Sequence, residues 1–358
     1  MSVTRPEEAV VPDFAAADFA TQADPYRREL LAYCYRMLGS VDEAEDQVQE
    51  TMLRAWRGYS DFEGRSSMRT WLYRIATNSC LRAMENRGRR PLPSDLSSPA
   101  ADPEGALAPD RPEVTWLQPM PDALIGGTAD PASIVGSRAS MRLALTAALQ
   151  YLPARQRAVL ILRDVLGWHA AEAAELLGVS TAAANSALQR ARAHLAQAGL
   201  SEDAMREPSE PAGRALLDRY AAAFESADIT ALAELLRADA ALEMPPQPYW
   251  FAGRDQVTRF LLARVLTRPG RFRLFPTEAN GQPAFAAYLQ EADGVFRAHA
   301  IQVVTACDGL VSRIVSFNDG RLLRPFGFPP ELAGGPSTPA EPGGPGGPGE
   351  PGAAVSRS

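Results

Sequence analysis

The sequence predicts a multidomain protein in which two all-α domains, joined by an acidic linker, are followed by an α+β domain. Two stretches carry apolar residues at the i, i+3, i+4 spacing of helices, and a proline-rich acidic stretch lies between them. Strand-like runs with hairpin signals follow. At 358 residues the chain is also longer than one hydrophobic core usually supports. The predicted divisions are a flexible tail at 1–22, a helical domain at 23–92, the linker at 93–135, a second helical domain at 136–200, a short linker at 201–213, the α+β domain at 214–328 and a disordered Pro/Gly tail at 329–358.

The first helical domain is predicted to hold three helices. An apolar stripe ends at Gly39, and Ser40 is placed to cap the next helix, "SVDEAEDQVQETMLRAW". The acidic first turn of that helix suits the positive end of the helix dipole. The third helix lies in "FEGRSSMRTWLYRIATN", where Trp71 falls on the apolar stripe, so we expect Trp71 to belong to the core.

Charge is strongly segregated, although the net charge is only −7. Residues 63–92 hold seven arginines and two glutamates, and residues 136–200 hold seven arginines and three acids. The linker between them holds seven acids and one arginine. Because basic segments attract phosphate and acidic segments repel it, the pattern favours nucleic-acid contacts on both helical domains.

The second helical domain contains "HAAEAAELLGVSTAAANSALQRARAHL", in which Gly178 and Ser180 separate two short helices. Small residues at Ala173 and Ala174 allow the two helices to cross closely. This arrangement is typical of a helix-turn-helix.

The third domain begins with two amphipathic helices and continues with the helix "RDQVTRFLLARVL" and three strand-like runs. The turn signals Asp293-Gly294 and Asp308-Gly309 indicate hairpins, so we expect an antiparallel sheet after the helices. Asp218 and His299 are the polar residues that such a domain could place in its interior.

Several classes of site are not indicated. No cluster of cysteine and histidine has metal-ligand spacing, and we expect neither a metal nor a cofactor. Three scattered cysteines fit a reducing compartment. The sequence shows no charged-then-apolar leader and no apolar run of membrane-spanning length, which predicts a cytoplasmic protein without membrane contacts.

Two quoted stretches carry a family resemblance. "YRRELLAYCYRMLGSVDEAEDQVQETMLRAWRGYSDFEGRSSMRTWLYRIATNSCLRAMENRGRRP" resembles the core-binding and promoter-melting domain of bacterial RNA polymerase sigma factors of the extracytoplasmic-function (sigma-70-like) class. "YLPARQRAVLILRDVLGWHAAEAAELLGVSTAAANSALQRARAHL" resembles their second helical domain. The remainder resembles the cone-shaped SnoaL-like or NTF2-like fold, with "YAAAFESADITALAELLRADAALEMPP" and "FAGRDQVTRFL" as the best-matching pieces.

The resemblance implies a non-enzymatic transcription factor that joins core RNA polymerase, recognises promoter DNA and initiates transcription. An anti-sigma protein is a further partner that the family suggests. The acidic helix would dock on a coiled coil of the largest polymerase subunit, and the acidic linker would lie in the RNA path of the polymerase. The C-terminal domain would tune promoter binding, through the end of the sheet at "FNDGRLLRPFGFP".

Three sets of residues are implied. The contact with core polymerase would involve Asp42, Glu43, Glu45, Asp46, Gln49 and Glu50. Recognition and melting of the minus-ten element would involve Arg65, Ser66, Arg69, Arg74, Asn78, Arg82, Arg87, Arg89 and Arg90. The second helix of the helix-turn-helix would read the minus-thirty-five element with Ser180, Thr181, Asn185, Ser186, Gln189 and Arg190.

Two other interpretations stay open on the sequence alone. The chain could be a stand-alone helix-turn-helix regulator that binds DNA without polymerase. It could also be an NTF2-like isomerase or cyclase fused to a DNA-binding arm, in which Asp218 or His299 acts on a small hydrophobic ligand.

Overall fold

The computed structural model describes residues 14–64, 66–85, 87–109, 111–125, 141–197 and 210–332. The helices of the first domain are α1 (Phe14–Ala23), α2 (Arg27–Leu38), α3 (Val41–Arg57) and α4 (Met68–Met84). Ser40 and Ser67 cap α3 and α4, because each side-chain oxygen accepts a hydrogen bond from a backbone N–H of the first turn.

Helix α1 corrects one sequence prediction. Residues 14–22 were assigned to a flexible tail, yet Phe19 is buried and its ring meets that of Tyr59 edge-on at 5.3 Å. Burial of this aromatic side chain offsets the entropy lost when the segment becomes helical. Residues 1–13 lie outside the described part of the chain.

The second helical domain packs directly on the first. Its helices are α5 (Leu143–Leu149), α6 (Ala154–Leu160, extended by a π-helical turn to Val165), α7 (Ala170–Leu177) and α8 (Thr181–Gln197). Gly178 stands between α7 and α8 with a left-handed φ of 65°. Buried side chains of both domains, Trp168 among them, form one continuous hydrophobic cluster. The two predicted helical domains therefore share a core.

The third domain is α+β, as predicted. Its helices are α9 (Glu210–Glu225), α10 (Ile229–Leu235) and α11 (Arg254–Phe260, extended by a π-helical turn to Val265). Its strands are β1 (Leu236–Glu243), β2 (Trp250–Ala252), β3 (Phe272–Ala279), β4 (Gln282–Gln290), β5 (Phe296–Cys307) and β6 (Leu310–Phe317). They form one sheet in the order β2-β1-β6-β5-β4-β3.

The sheet differs from the sequence prediction at one edge. Strands β1 and β2 were missed, and β1 pairs with β6 in parallel, so the sheet is mixed rather than antiparallel. The strand β1, "LRADAALE", has little β-branched or aromatic character, which is why the sequence did not reveal it. Helix α9 also begins at Glu210, inside the segment predicted as a linker at 201–213.

The two faces of the sheet bury different partners. One face packs against the domain's own helices, with Tyr220, Phe224 and Phe260 in the cluster. The other face packs against the linker and α5 through Leu117 and Leu143. The sheet therefore contacts the linker and α5 through a buried hydrophobic surface.

The ends of the linker and of the chain are partly described. The described residues of the linker form the short 3₁₀ turns Pro93–Asp95 and Asp122–Leu124 and a β-bridge between Pro121 and Ala279. Residues 110 and 126–135 lie outside the described part. Residues 329–332 belong to the predicted disordered tail but are bonded to the sheet, since Ala298 N donates to Pro330 O at 2.8 Å. Residues 333–358 are outside the description. No helix within the described ranges combines the length and apolarity that a membrane span needs.

Candidate nucleic-acid interface

The helix-turn-helix presents one polar face to solvent. Ala184, Leu188 and Ala191 of α8 are buried, and they fix which side of the helix points outward. The exposed residues on α8 and its cap include all six that the sequence predicted, namely Ser180, Thr181, Asn185, Ser186, Gln189 and Arg190. The hydroxyl oxygen of Ser180 also accepts a hydrogen bond from Ala183 N at 3.2 Å. A polar, exposed helix face of this kind fits the major groove of DNA.

Helix α4 carries the core of the first domain on one side. Met68, Leu72 and Tyr73 are buried, whereas Trp71 is half-buried and stacks on Phe62 with ring centroids 4.7 Å apart. Trp71 thus packs against the hydrophobic cluster, and Tyr73 is the aromatic residue of α4 that lies fully inside it.

Two of the three arginines of α4 are engaged within the protein. Arg69 Nε donates to Glu29 Oε1 at 2.9 Å, and its guanidinium lies 5.6 Å from the centre of the Trp168 ring. Arg74 Nη2 donates to Glu175 Oε1, on α7, at 2.8 Å. Asn78 and Arg82 are exposed and Ser66 is half-buried, while Arg65 lies outside the described residues. The second helical domain therefore occupies the α4 surface at Arg69 and Arg74.

A basic segment follows α4. Arg87 and Arg90 both pair with Glu43 Oε1, Arg90 at 2.7 Å, and Arg90 also donates to Trp116 O at 2.9 Å. Arg90 is only 7% exposed, and burial lowers its pKa to about 10. Arg89 is exposed and lies over the ring of Tyr151 at 4.4 Å. Of these three arginines, all predicted to contact the minus-ten element, Arg87 and Arg89 face solvent and Arg90 holds the linker.

The acidic helix α3 exposes most of its predicted contact residues. Asp42, Glu45, Asp46 and Gln49 are exposed, whereas Glu43 and Glu50 are half-buried and paired with arginines. The pKa of Glu45 is raised, first by partial burial and then by the charges of Asp42 and Asp46. This face thus carries concentrated negative charge.

The same face continues into two apolar side chains that the sequence prediction missed. Leu53 is 40% exposed and Trp56 is 47% exposed. They follow Gln49 at i+4 and i+7, so a single helix face carries acids at one end and a hydrophobic patch at the other. The i, i+4, i+7 spacing from Gln49 is a signal that could have identified them. An exposed Trp and Leu beside charged residues are typical of a protein interface.

The C-terminal domain joins both helical domains at the turn between β3 and β4. Asn280 is fully buried, with a left-handed φ of 57°. Its Nδ2 donates to Tyr35 Oη at 2.8 Å and to Met141 O at 2.9 Å, and its Oδ1 accepts from Met120 N at 2.9 Å. Asn280 N also donates to Met120 O at 2.9 Å. The Asn280 side chain is therefore bonded to α2, to the linker and to the start of the second helical domain. These three hydrogen bonds are called the Asn280 joint.

The linker is bonded along the C-terminal domain. Ser94 N donates to the buried carboxylate of Glu243 at 2.9 Å, and Trp250 Nε1 donates to Ser97 O at 2.8 Å. Arg259 pairs with Glu104 at 3.0 Å. At the far end, Leu117 approaches Gly39, where a Cβ would lie only 2.9 Å from Leu117 Cδ1. Gly39 therefore serves both to end α2 and to admit the linker.

The proposed catalytic pair of the enzyme interpretation is not assembled. Asp218 is exposed on α9. His299 instead lines a small cavity of about 50 Å³ with Tyr220, Phe272 and Gln302. Burial, and then the charge of Arg271, lower the pKa of His299. One residue therefore faces solvent and the other faces the interior of the domain.

Comparison with known protein families accounts for both helical domains. Residues 23–90 match sigma-70 region 2, and residues 142–195 match sigma-70 region 4. Region 2 therefore ends at the basic segment after α4, and region 4 contains the helix-turn-helix.

Similar proteins extend over nearly the whole chain. The ECF RNA polymerase sigma factor SigG of Mycobacterium tuberculosis is 50% identical over 322 residues, which cover 89% of this chain and 86% of SigG. SigJ of the same organism is 29% identical over 305 residues, covering 81% of this chain and 88% of SigJ. The crystal structure of SigJ superposes with a TM-score of 0.55 at 24% identity, and the match covers 87% of this chain and 98% of that one. The arrangement of helical and α+β parts is thus shared with a solved structure.

Proposed function

The chain belongs to the extracytoplasmic-function RNA polymerase sigma factors, and we propose from this that it binds core RNA polymerase and directs it to promoters. The observation that carries the proposal is the 50% identity to SigG across 89% of the chain, which includes regions 2 and 4 and the C-terminal domain. Each proposed contact also has an exposed surface of suitable chemistry.

Core polymerase would contact the exposed face of α3. Acidic residues at the start of this face provide electrostatic attraction to a basic partner, and Leu53 and Trp56 provide apolar area to bury. Aromatic residues at the centre of an interface often carry much of the binding free energy. Trp56 is therefore the residue of α3 whose loss should weaken polymerase binding most.

Promoter DNA would contact the exposed face of α8 and the arginines on and after α4. The α8 face and the side chains of Arg82, Arg87 and Arg89 are exposed in this structure. Region 4 covers α4 at Arg69 and Arg74. DNA access to these arginines thus requires region 4 to leave region 2. That separation breaks the hydrophobic cluster shared by both regions, in which the rings of Trp168 and Tyr73 lie 5.2 Å apart. It also breaks the exposed ion pair between Arg74 and Glu175, which contributes at most about 1 kcal/mol. The free energy of polymerase binding would offset this cost.

The C-terminal domain would hold the chain in this closed arrangement. The Asn280 joint and the bonds from Glu243 and Trp250 fix the linker on the sheet. A linker held there cannot also lie in the RNA path of the polymerase, so entry into that path requires its release from the C-terminal domain. We infer that the domain restrains activity until polymerase binding frees the linker.

Binding of promoter DNA, measured as retention of labelled fragments with and without core polymerase, distinguishes the proposed sigma factor from a stand-alone regulator. We expect labelled promoter fragments to be retained specifically only when core polymerase and the full chain are both present. Equal retention by the chain alone would refute the proposal and favour the stand-alone regulator. Trp56→Ala should lower retention with polymerase, whereas Leu262→Ala, an exposed apolar residue on the C-terminal domain, should not.

A further inference from the structure

A cavity of about 210 Å³ lies between the two helical domains. Residues of region 2 form one wall, and residues at the start of region 4 form the other. Its polar lining comes from Glu43, Arg87, Arg89, Arg90, Gln150 and Arg157. This interdomain cavity exists only while the two regions are packed together.

The lining carries a surplus of positive charge. Four arginines face the cavity, and Glu43 is the one acid among its lining residues. That single carboxylate serves both Arg87 and Arg90. Arg89 has no carboxylate partner among the described residues, since it donates to Asp95 O at 3.3 Å and stacks on Tyr151. The carboxylate of Asp95 itself accepts from Leu92 N at 2.7 Å.

Arg157 gives a second, independent indication that the cavity favours an anion. It is only 3% exposed, and its hydrogen-bond acceptors are all neutral: Met37 O, Gln150 Oε1, Gln150 O and Leu152 O. Its Nε is buried and has no acceptor among the described residues. Burial lowers the pKa of Arg157 to about 10. A buried guanidinium is costly unless it is paired and fully hydrogen-bonded.

We propose that the interdomain cavity binds a small phosphate-bearing anion, of the size of phosphate or diphosphate, which bridges region 2 and region 4. Guanidinium groups present planar pairs of donors that match phosphate oxygens, and several arginines favour an anion with more than one negative charge. Such an anion balances the surplus charge of the lining and offers an acceptor to Arg157. Because its ligands come from both regions, binding favours the closed arrangement.

The phosphate could come from a free small molecule or from the nucleic-acid backbone, and Arg87 and Arg89 are also proposed DNA contacts. We assign the cavity to a free small anion. Arg157 is enclosed between the two regions, and region 4 must leave region 2 before DNA reaches α4. A small anion would therefore compete with promoter DNA by retaining these arginines in the closed form.

The test is calorimetric titration of the full chain with pyrophosphate, without polymerase and at constant ionic strength. We expect one site per chain with a Kd below about 1 mM. Arg89→Gln, which changes an exposed side chain, should weaken binding at least about tenfold. Arg157→Gln should do the same if it folds, as judged by its circular dichroism spectrum. Arg268→Gln removes an equal charge from the C-terminal domain, where Arg268 donates to Gln290 at 2.9 Å, and should leave binding unchanged.

Three results would overturn the proposal. One is the absence of saturable binding at concentrations up to about ten times the expected Kd. Another is equal affinity of the unsubstituted chain and Arg89→Gln. The third is a single-stranded oligonucleotide that binds in an Arg89-dependent way while pyrophosphate does not, which would assign these arginines to DNA alone. Since polymerase is absent from the titration, failure here leaves the proposed sigma function untouched.

Discussion

Replacing Asn280 with glycine should release the linker from the C-terminal domain while leaving the turn intact. Asn280 has a φ of 57°, which glycine adopts without steric cost, so Asn280→Gly removes the side-chain bonds without adding backbone strain. The substitution leaves the buried Met120 N–H and Met141 carbonyl without their Asn280 partners. Each unsatisfied buried group costs about 1–3 kcal/mol, so the joint should weaken by about 2–6 kcal/mol.

Hydrogen exchange at the linker measures this effect directly. Because the site relaxes, we take the lower end of this range, a loss of about 2–3 kcal/mol in local stability. That loss speeds local opening by about 30–150-fold. We expect this acceleration in peptides that contain residues 117–122, together with more transcript per polymerase. Asp308→Gly is the matched control, because Asp308 has a φ of 53°, precedes Gly309 in another turn of the sheet and is exposed. Unchanged exchange at residues 117–122 in Asn280→Gly would refute the role of the joint.

The other predictions concern the separate interfaces and the C-terminal core. Trp56→Ala should weaken core polymerase binding by about 1–3 kcal/mol without lowering the Tm, because Trp56 is 47% exposed; equal affinity in surface plasmon resonance would contradict the α3 assignment. If Arg190 contacts a phosphate, Arg190→Gln should reduce the slope of log affinity against log salt concentration by about one, measured with holoenzyme and promoter DNA. An unchanged slope would show that Arg190 does not contact a phosphate. The pKa of His299 is lower in the folded chain than in the unfolded chain. As the pH falls below about 6.5, the unfolded chain therefore binds more protons at this residue, and the stability of the C-terminal domain should decrease. His299→Gln should flatten this decrease in thermal unfolding between about pH 7 and 5, and an equally steep decrease would assign it to other groups.

Local features of the fold were readable from the sequence. Gly39, Ser40 and Gly178 sit at helix ends for reasons that depend only on neighbouring residues, so their roles follow from composition and spacing. The exposed face of α8 follows in the same way from the apolar spacing of Ala184, Leu188 and Ala191.

Contacts between distant segments were not readable. Asn280-Gly281 signals a tight turn, but nothing in its neighbourhood indicates that the Asn280 side chain meets Tyr35, 245 residues away. The pairing of Arg74 with Glu175 likewise depends on how two helical domains dock. The sequence predicts the contact of the C-terminal domain at "FNDGRLLRPFGFP", and Leu323 of that segment belongs to the hydrophobic cluster that also holds Leu117 and Leu143. The buried hydrogen bonds, however, are made by the turn at Asn280.

Run-off transcription with purified core polymerase compares the full chain with a chain ending at residue 205, on a genomic fragment that the holoenzyme retains. We expect promoter-specific transcript from both, with more from the truncated chain because the linker is no longer held on the sheet. Absence of promoter-specific transcript with either chain, in the presence of active core polymerase, would contradict the sigma function proposed for this protein.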